Sequence, residues 1–183
     1  MRKALSGIML AVLSLAFIVL TTGSGHAAVA DVSNLSLGRT GYNTPGADTY
    51  WTRNDEYQDV TNTGATAVDV NGLVFVDSWG KANNEDGVGC NAYKVTSVPG
   101  GAGSADGTGT GTFLPAGHTL RIYVGAGTPA FDGSKRHYVY MNSNKVCGYN
   151  GHVFNNFPRE TLWIGLGGSW KSKTYDFSGG YYA

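Results

Sequence analysis

The stretch TLRIYVG, residues 119–125, alternates without a break: Leu120, Ile122 and Val124 fall on one side, Arg121 and Tyr123 on the other. A period of two belongs to a strand with one face on a core and one toward water. TLWIGL repeats it, with Leu162, Ile164 and Leu166 together and Trp163 opposite. Short β-branched or aromatic runs of this kind alternate with turn residues along the chain, 28 of whose 183 residues are glycine. No helical periodicity follows the first 30 residues. These features predict an all-β sandwich or barrel, with strands near residues 32–37, 56–62, 67–77, 90–98, 110–114, 119–124, 137–142, 161–166 and 173–177.

VNGLVFVDS breaks the simple alternation. Leu73 and Phe75 share one face while Val74 and Val76 share the other, so the run is apolar on both sides and belongs in a central or doubly covered strand. Gly72 just before it is a natural bend. The larger stretch EYQDVTNTGATAVDVNGLVFVDS carries Glu56, Asp59, Asp69 and Asp77, which are either catalytic carboxylates or the polar teeth of a half-buried sheet. We read them as the latter, on two successive paired strands joined by NTGAT. Residues 80–111 look foreign to this compact plan, and their second half has the Gly/Ser/Thr/Ala composition of a flexible loop.

At the N-terminus, Arg2-Lys3 precede the apolar run ALSGIMLAVLSLAFIVL and the small residues Ala28-Val29-Ala30. That order predicts a secretory signal peptide over 1–30, with one mature domain over 31–183 and no inserted segment after cleavage. The mature chain loses Arg2 and Lys3 from its 13 basic residues, so 11 stand against 13 acidic ones. This balance gives no support to a partner held by its phosphates, such as a nucleic acid. An exported chain with two cysteines predicts a single bridge between Cys90 and Cys147. It would close a loop worth roughly 4 kcal/mol on the chain-entropy model.

Candidate chemistry is sparse. His118, His137 and His152 show no metal-ligand spacing, and the first two are expected at exposed polar positions. Serine contexts VDSWG and GGSWK lack the glycines of a nucleophile elbow. GTGTG has neither the Lys-Ser/Thr nor the following helix of a phosphate cradle. NNEDG, residues 83–87, offers hard oxygen ligands as a calcium loop does, and is equally ordinary turn chemistry. No catalytic residue, metal or cofactor is expected. Four Trp, eleven Tyr and seven Phe exceed what a core of this size needs. Surface rings of this kind stack on sugars or anchor protein partners; YVYMN, CGYNGHVFNNF and GGYYA are the places to look.

Six segments in order then carry a resemblance: YNTPGAD (42–48), NDEYQDVTNTG (54–64), VDVNG (68–72), LPAGHTLRIYVGAG (114–127), VFNNFPRETLWIGL (153–166) and KTYDF (173–177). Together they resemble the lamin tail domain in its secreted bacterial form, over about residues 38–177. Leu73 stands where that family has tryptophan, FPRE replaces its usual turn, and 80–111 is a longer connection. The resemblance implies an immunoglobulin-like β-sandwich acting as a non-catalytic interaction module, and it transfers no binding residues. The expectation is therefore a secreted, monomeric module for an extracellular or cell-surface macromolecule, a protein or an envelope polysaccharide. The alternatives are a carbohydrate-binding module working through surface aromatics and a small secreted hydrolase.

Overall fold

The computed structural model describes residues 31–42, 56–89, 91–103, 110–142 and 159–176. Within them the chain runs β1 (Leu35–Gly41), β2 (Tyr57–Asn62), β3 (Val68–Asp69), β4 (Val74–Val76), α1 (Ser78–Asn83) and β5 (Ala92–Lys94). It continues β6 (Phe113–Leu114), β7 (Thr119–Tyr123), β8 (Ala130–Phe131), β9 (Arg136–Tyr140), β10 (Arg159–Leu166) and β11 (Ser169–Asp176).

These elements build an all-β sandwich. One sheet has the order β1-β2-β7-β9-β8, a second has β11-β10-β4-β5, and β3 with β6 forms a separate two-stranded ribbon. Pairing is antiparallel except between β7 and β9, which run parallel. Alternation explains the layering. Leu37, Val60, Leu120, Ile122 and Val139 from the five-stranded sheet meet Phe75, Leu162, Ile164 and Leu166 from the four-stranded one in a single core. Each such aliphatic side chain contributes about 1.5–3 kcal/mol by leaving water.

β4 is buried on both faces, as its sequence requires. Phe75 enters the common core while Val74 and Val76 form a second, outer cluster with Ala92, packed by Trp163 and Trp170. The expected 67–77 strand, however, is two strands in two sheets. A turn closed by Leu73 N–H donating to the Val70 carbonyl (3.0 Å), with Gly72 at φ +81°, separates β3 from β4. Nor do residues 56–62 pair with the strand that follows them. β2 lies between β1 and β7, and β4 lies between β10 and β5.

Three further departures have local causes. The sequence gives no helical period at 78–83 because six residues are too few to show one. Its signal is Asp77, an N-cap whose carboxylate accepts the Gly80 N–H at 2.5 Å. β11 begins at Ser169, four residues before expectation, because Gly167 (φ +58°) and Gly168 (φ +83°) make a two-residue hairpin turn with left-handed conformation at both positions. The 80–111 segment is not foreign to the fold over the part described. It supplies β5, the buried Val95 and Val98, and a bridge from Ala102 to Phe113. Residues 1–30, Cys90, Cys147 and His152 lie outside the described residues.

Candidate functional site

With the even-numbered residues of β7 turned to the core, its odd-numbered residues stand on the outer face of the five-stranded sheet. Strand register then assembles rows across that face. Tyr57 of β2 is opposite Tyr123 of β7, which is opposite Tyr140 of β9. In the next row Asp59, Arg121 and Tyr138 are partners, followed by Thr61, Thr119 and Arg136. Neighbouring strands lie about 4.8 Å apart, so a row of three side chains spans roughly 10 Å across the sheet.

The aromatic row is tightly coupled. Tyr123 and Tyr140 stack with centroids 5.0 Å apart and planes 11° from parallel. Tyr57 meets Tyr123 edge-on at 5.8 Å, and Tyr138 leans on Tyr123 at 6.1 Å. Tyr123, Tyr138 and Tyr140 are half-exposed, while Tyr57 is buried at the inner end. Burial, with Tyr123 and Tyr138 beside it, raises the pKa of the Tyr140 phenol. It therefore stays a neutral group able both to donate and to accept. Gly127 makes room for this ring, since a Cβ there would lie 2.2 Å from Tyr140.

Arg121 ties the rows together. Its Nε donates to Asp59 Oδ1 at 2.7 Å and its Nη2 to Asp59 Oδ2 at 2.8 Å, a bidentate pair with side chains 13% and 8% exposed. Its guanidinium carbon sits 3.6 Å from the centre of the Tyr57 ring. Burial works against the guanidinium charge, but the hydrogen bonds and charge of Asp59, with Tyr123 and Tyr57 behind them, outweigh it and hold the group more firmly protonated. The face thus presents phenol edges and hydroxyls around a fixed, internally neutralised charge pair.

The four carboxylates of the early strands are dispersed. Asp59 holds Arg121, Asp77 caps α1, and Asp69 accepts from Thr112 Oγ1 (2.6 Å) and from Asn71 N–H (3.0 Å). Glu56 is buried where β2 begins. Desolvation raises the Asp77 pKa and nearby Glu160 adds to that, against the lowering effect of the Gly80 N–H. In the 83–87 segment Glu85 is ion-paired with Lys81, and Asp86 accepts the Val88 N–H at 3.0 Å. Among the described residues no group of three or more His, Cys, Asp or Glu is placed to hold a metal ion.

Of the two described histidines, His118 is half-exposed, whereas His137 is not the exposed polar residue expected. His137 is fully buried because register places it beside Leu120 on the core side of the sheet. Its Nδ1 donates to the Pro99 carbonyl at 2.7 Å, leaving Nε2 to accept from His118 Nδ1 at 2.9 Å. That assignment follows from the network, since a carbonyl only accepts. Phe131 stacks on His137 with centroids 4.6 Å apart. The pair closes one end of the sandwich, linking β7, β8, β9 and the loop at Pro99.

Sequence reasoning named Tyr138 and Tyr140 through YVYMN but not Tyr57 and Tyr123. The available signal was the polar-face tyrosine of TLRIYVG; the row itself exists only through register. The segments CGYNGHVFNNF and GGYYA lie outside the described residues. Comparison with known proteins finds no match to a protein-family model, a curated protein or a solved structure.

Proposed function

We propose that this chain is a secreted, non-catalytic, lamin-tail-like interaction module that binds an extracellular or cell-envelope polysaccharide through the tyrosine face of its five-stranded sheet. The observation that carries the reading is the row across three adjacent strands in which buried Tyr57 backs the half-exposed Tyr123 and Tyr140. A row perpendicular to the strands suits an extended polymer of repeating units. Phenol edges and hydroxyls along the row meet a glycan chain from the side, and the hydroxyls exchange hydrogen bonds with those of the sugars. The bidentate Arg121–Asp59 pair supports the same reading by fixing the rings in place before a ligand arrives.

The test is retention of the mature chain on insoluble peptidoglycan, chitin and cellulose. Tyr123 touches the other three rings, so Tyr123→Ala should weaken retention at least about 30-fold, the effect of losing a central anchor of 2 kcal/mol or more. Tyr123→Phe, which keeps the ring, should weaken it far less. Retention of the parent on none of the three, or unchanged retention after Tyr123→Ala with the fold intact by circular dichroism, rejects the proposal.

A further inference from the structure

The opposite face of the sandwich carries a cleft that the tyrosine row does not explain. Its volume is about 340 Å³, at the small end of ligand pockets, and its walls include Trp170, Glu85, Asp86 and Lys94. The remainder is largely glycine. The Trp170 ring lies against Gly165, where a Cβ would come within 2.7 Å of three atoms of the indole. Gly87, behind the lining, lets Lys94 sit where it does, since at φ +76° a Cβ there would lie 2.8 Å from the Lys94 Cβ. Gly167 and Gly168 turn the β10–β11 hairpin at the rim without adding side chains. Lys81, ion-paired with Glu85, places its ammonium 4.2 Å from the centre of the Trp170 ring and so holds the indole from α1.

From this lining we infer that the cleft is a second carbohydrate site, taking one hexose unit of a glycan at the edge of Trp170, whose faces are held by Gly165 and Lys81, with Asp86 and Lys94 hydrogen-bonding its hydroxyls. The charge on the walls selects the class of ligand. Glu85 is neutralised by Lys81, leaving one carboxylate and one ammonium, so neither an anion nor a cation finds a net partner. A neutral polyol needs both acceptors and donors beside an aromatic wall, and the cleft supplies both. If the tyrosine face also binds glycan (a step that rests on the reading above), the two sites lie on opposite sheets and the module bridges two chains.

The experiment is saturation-transfer NMR on the mature chain with glucose, galactose, mannose and N-acetylglucosamine as probes. The measurement is made in the Tyr123→Ala background, which removes the tyrosine face as a source of signal, and at least one sugar should still receive saturation from the protein. Trp170→Ala should abolish it. Lys94→Met, at an exposed position where folding is not at risk, should weaken the affinity about tenfold, the effect of losing one charge-assisted hydrogen bond. No transfer to any of the four sugars, or transfer that survives both cleft substitutions, overturns the cleft site. Bridging is read separately, by loading the chain on the polysaccharide that retains it and adding the bound sugar in labelled form. Capture of label by the parent but not by Trp170→Ala supports bridging. Capture by neither overturns it and leaves retention through the tyrosine face standing.

Discussion

Replacing Asp59 and Arg121 singly and together measures whether the tyrosine face is built on a fixed frame. The two oxygen–nitrogen contacts are 2.7 and 2.8 Å, and the side chains retain 8% and 13% of their exposure. At the effective dielectric of such a site, unit charges about 4 Å apart attract by about 4 kcal/mol, which is the ceiling for the coupling. Desolvation removes part of this, whereas loss of one partner leaves the other charge under cover, at about 3–5 kcal/mol for a buried pair. Asp59→Ala and Arg121→Met should therefore each cost about 3 kcal/mol, and the double variant little more than either. That gives a coupling of about 2–3 kcal/mol. Arg121 also stacks on Tyr57 at 3.6 Å, a contact worth about 0.5–2 kcal/mol. Its loss occurs in Arg121→Met and in the double variant alike, so it cancels in the cycle. Urea unfolding of the four proteins, analysed with a common slope, gives the coupling directly. Raising salt should change it little, because screening acts mainly on exposed charges. A coupling below about 1 kcal/mol is the value of a surface pair, and it would refute the claim that Asp59 and Arg121 hold the face rigid.

The His118–His137 pair predicts a loss of stability in mild acid. Burial lowers both pKa values from 6.5; the charge of His137 and then Lys135 add to the effect at His118, while at His137 the Pro99 carbonyl and Asp132 oppose it. Folded values below the unfolded one mean that the unfolded chain binds more protons, so this contribution is complete above the unfolded value and is lost as pH falls below it. The urea midpoint should drop between about pH 7 and pH 5, and it should drop less in His118→Gln; an equal drop in both would remove the pair as its source. Gly80→Ala separates helix propensity from packing: alanine gains up to about 1 kcal/mol in a helix. Its Cβ, however, would lie 2.6 Å from the Asn91 carbonyl oxygen and 2.9 Å from Val76 Cβ. Overpacking of about 1–3 kcal/mol should win, lowering the melting temperature, and a raised one would show that α1 shifts freely on the sheet.

What could be read from the sequence follows what a period of two can and cannot encode. Leu120/Ile122 and Leu162/Ile164 declared their shared face because alternation is local, and the apolar faces of β4 declared its double burial. Partner choice is not local. The sequence contains nothing that sends β2 to β7 and β4 to β10 rather than to each other, and the break at Gly72 could be marked as a bend without revealing a change of sheet. His137 was misplaced for a related reason. Polar flanks at Lys135 and Arg136 suggested exposure, while parallel register with β7 puts the imidazole beside Leu120. The same limit hid the site. Tyr57 and Tyr140 are 83 positions apart and become members of one row only when β7 stands between their strands.

The distribution of polar groups then bears on what kind of protein this is. The carboxylates that most resembled catalytic acids are engaged in the fold's own work: one neutralises Arg121, one caps α1, and one holds Thr112 and Asn71. The buried imidazole is tied to a main-chain carbonyl and a second imidazole. Each of these groups makes a bond that holds the fold together. The rings of Tyr123, Tyr138, Tyr140 and Trp170 differ, because each retains exposed surface outside the common core. A half-exposed aromatic ring gives up part of the stabilisation that full burial would bring. Four of them on two opposite sheets, with Gly127 and Gly165 making room for two, are explained if that surface is kept for a ligand. This is why removing one ring, rather than one carboxylate, is the substitution expected to separate binding from folding.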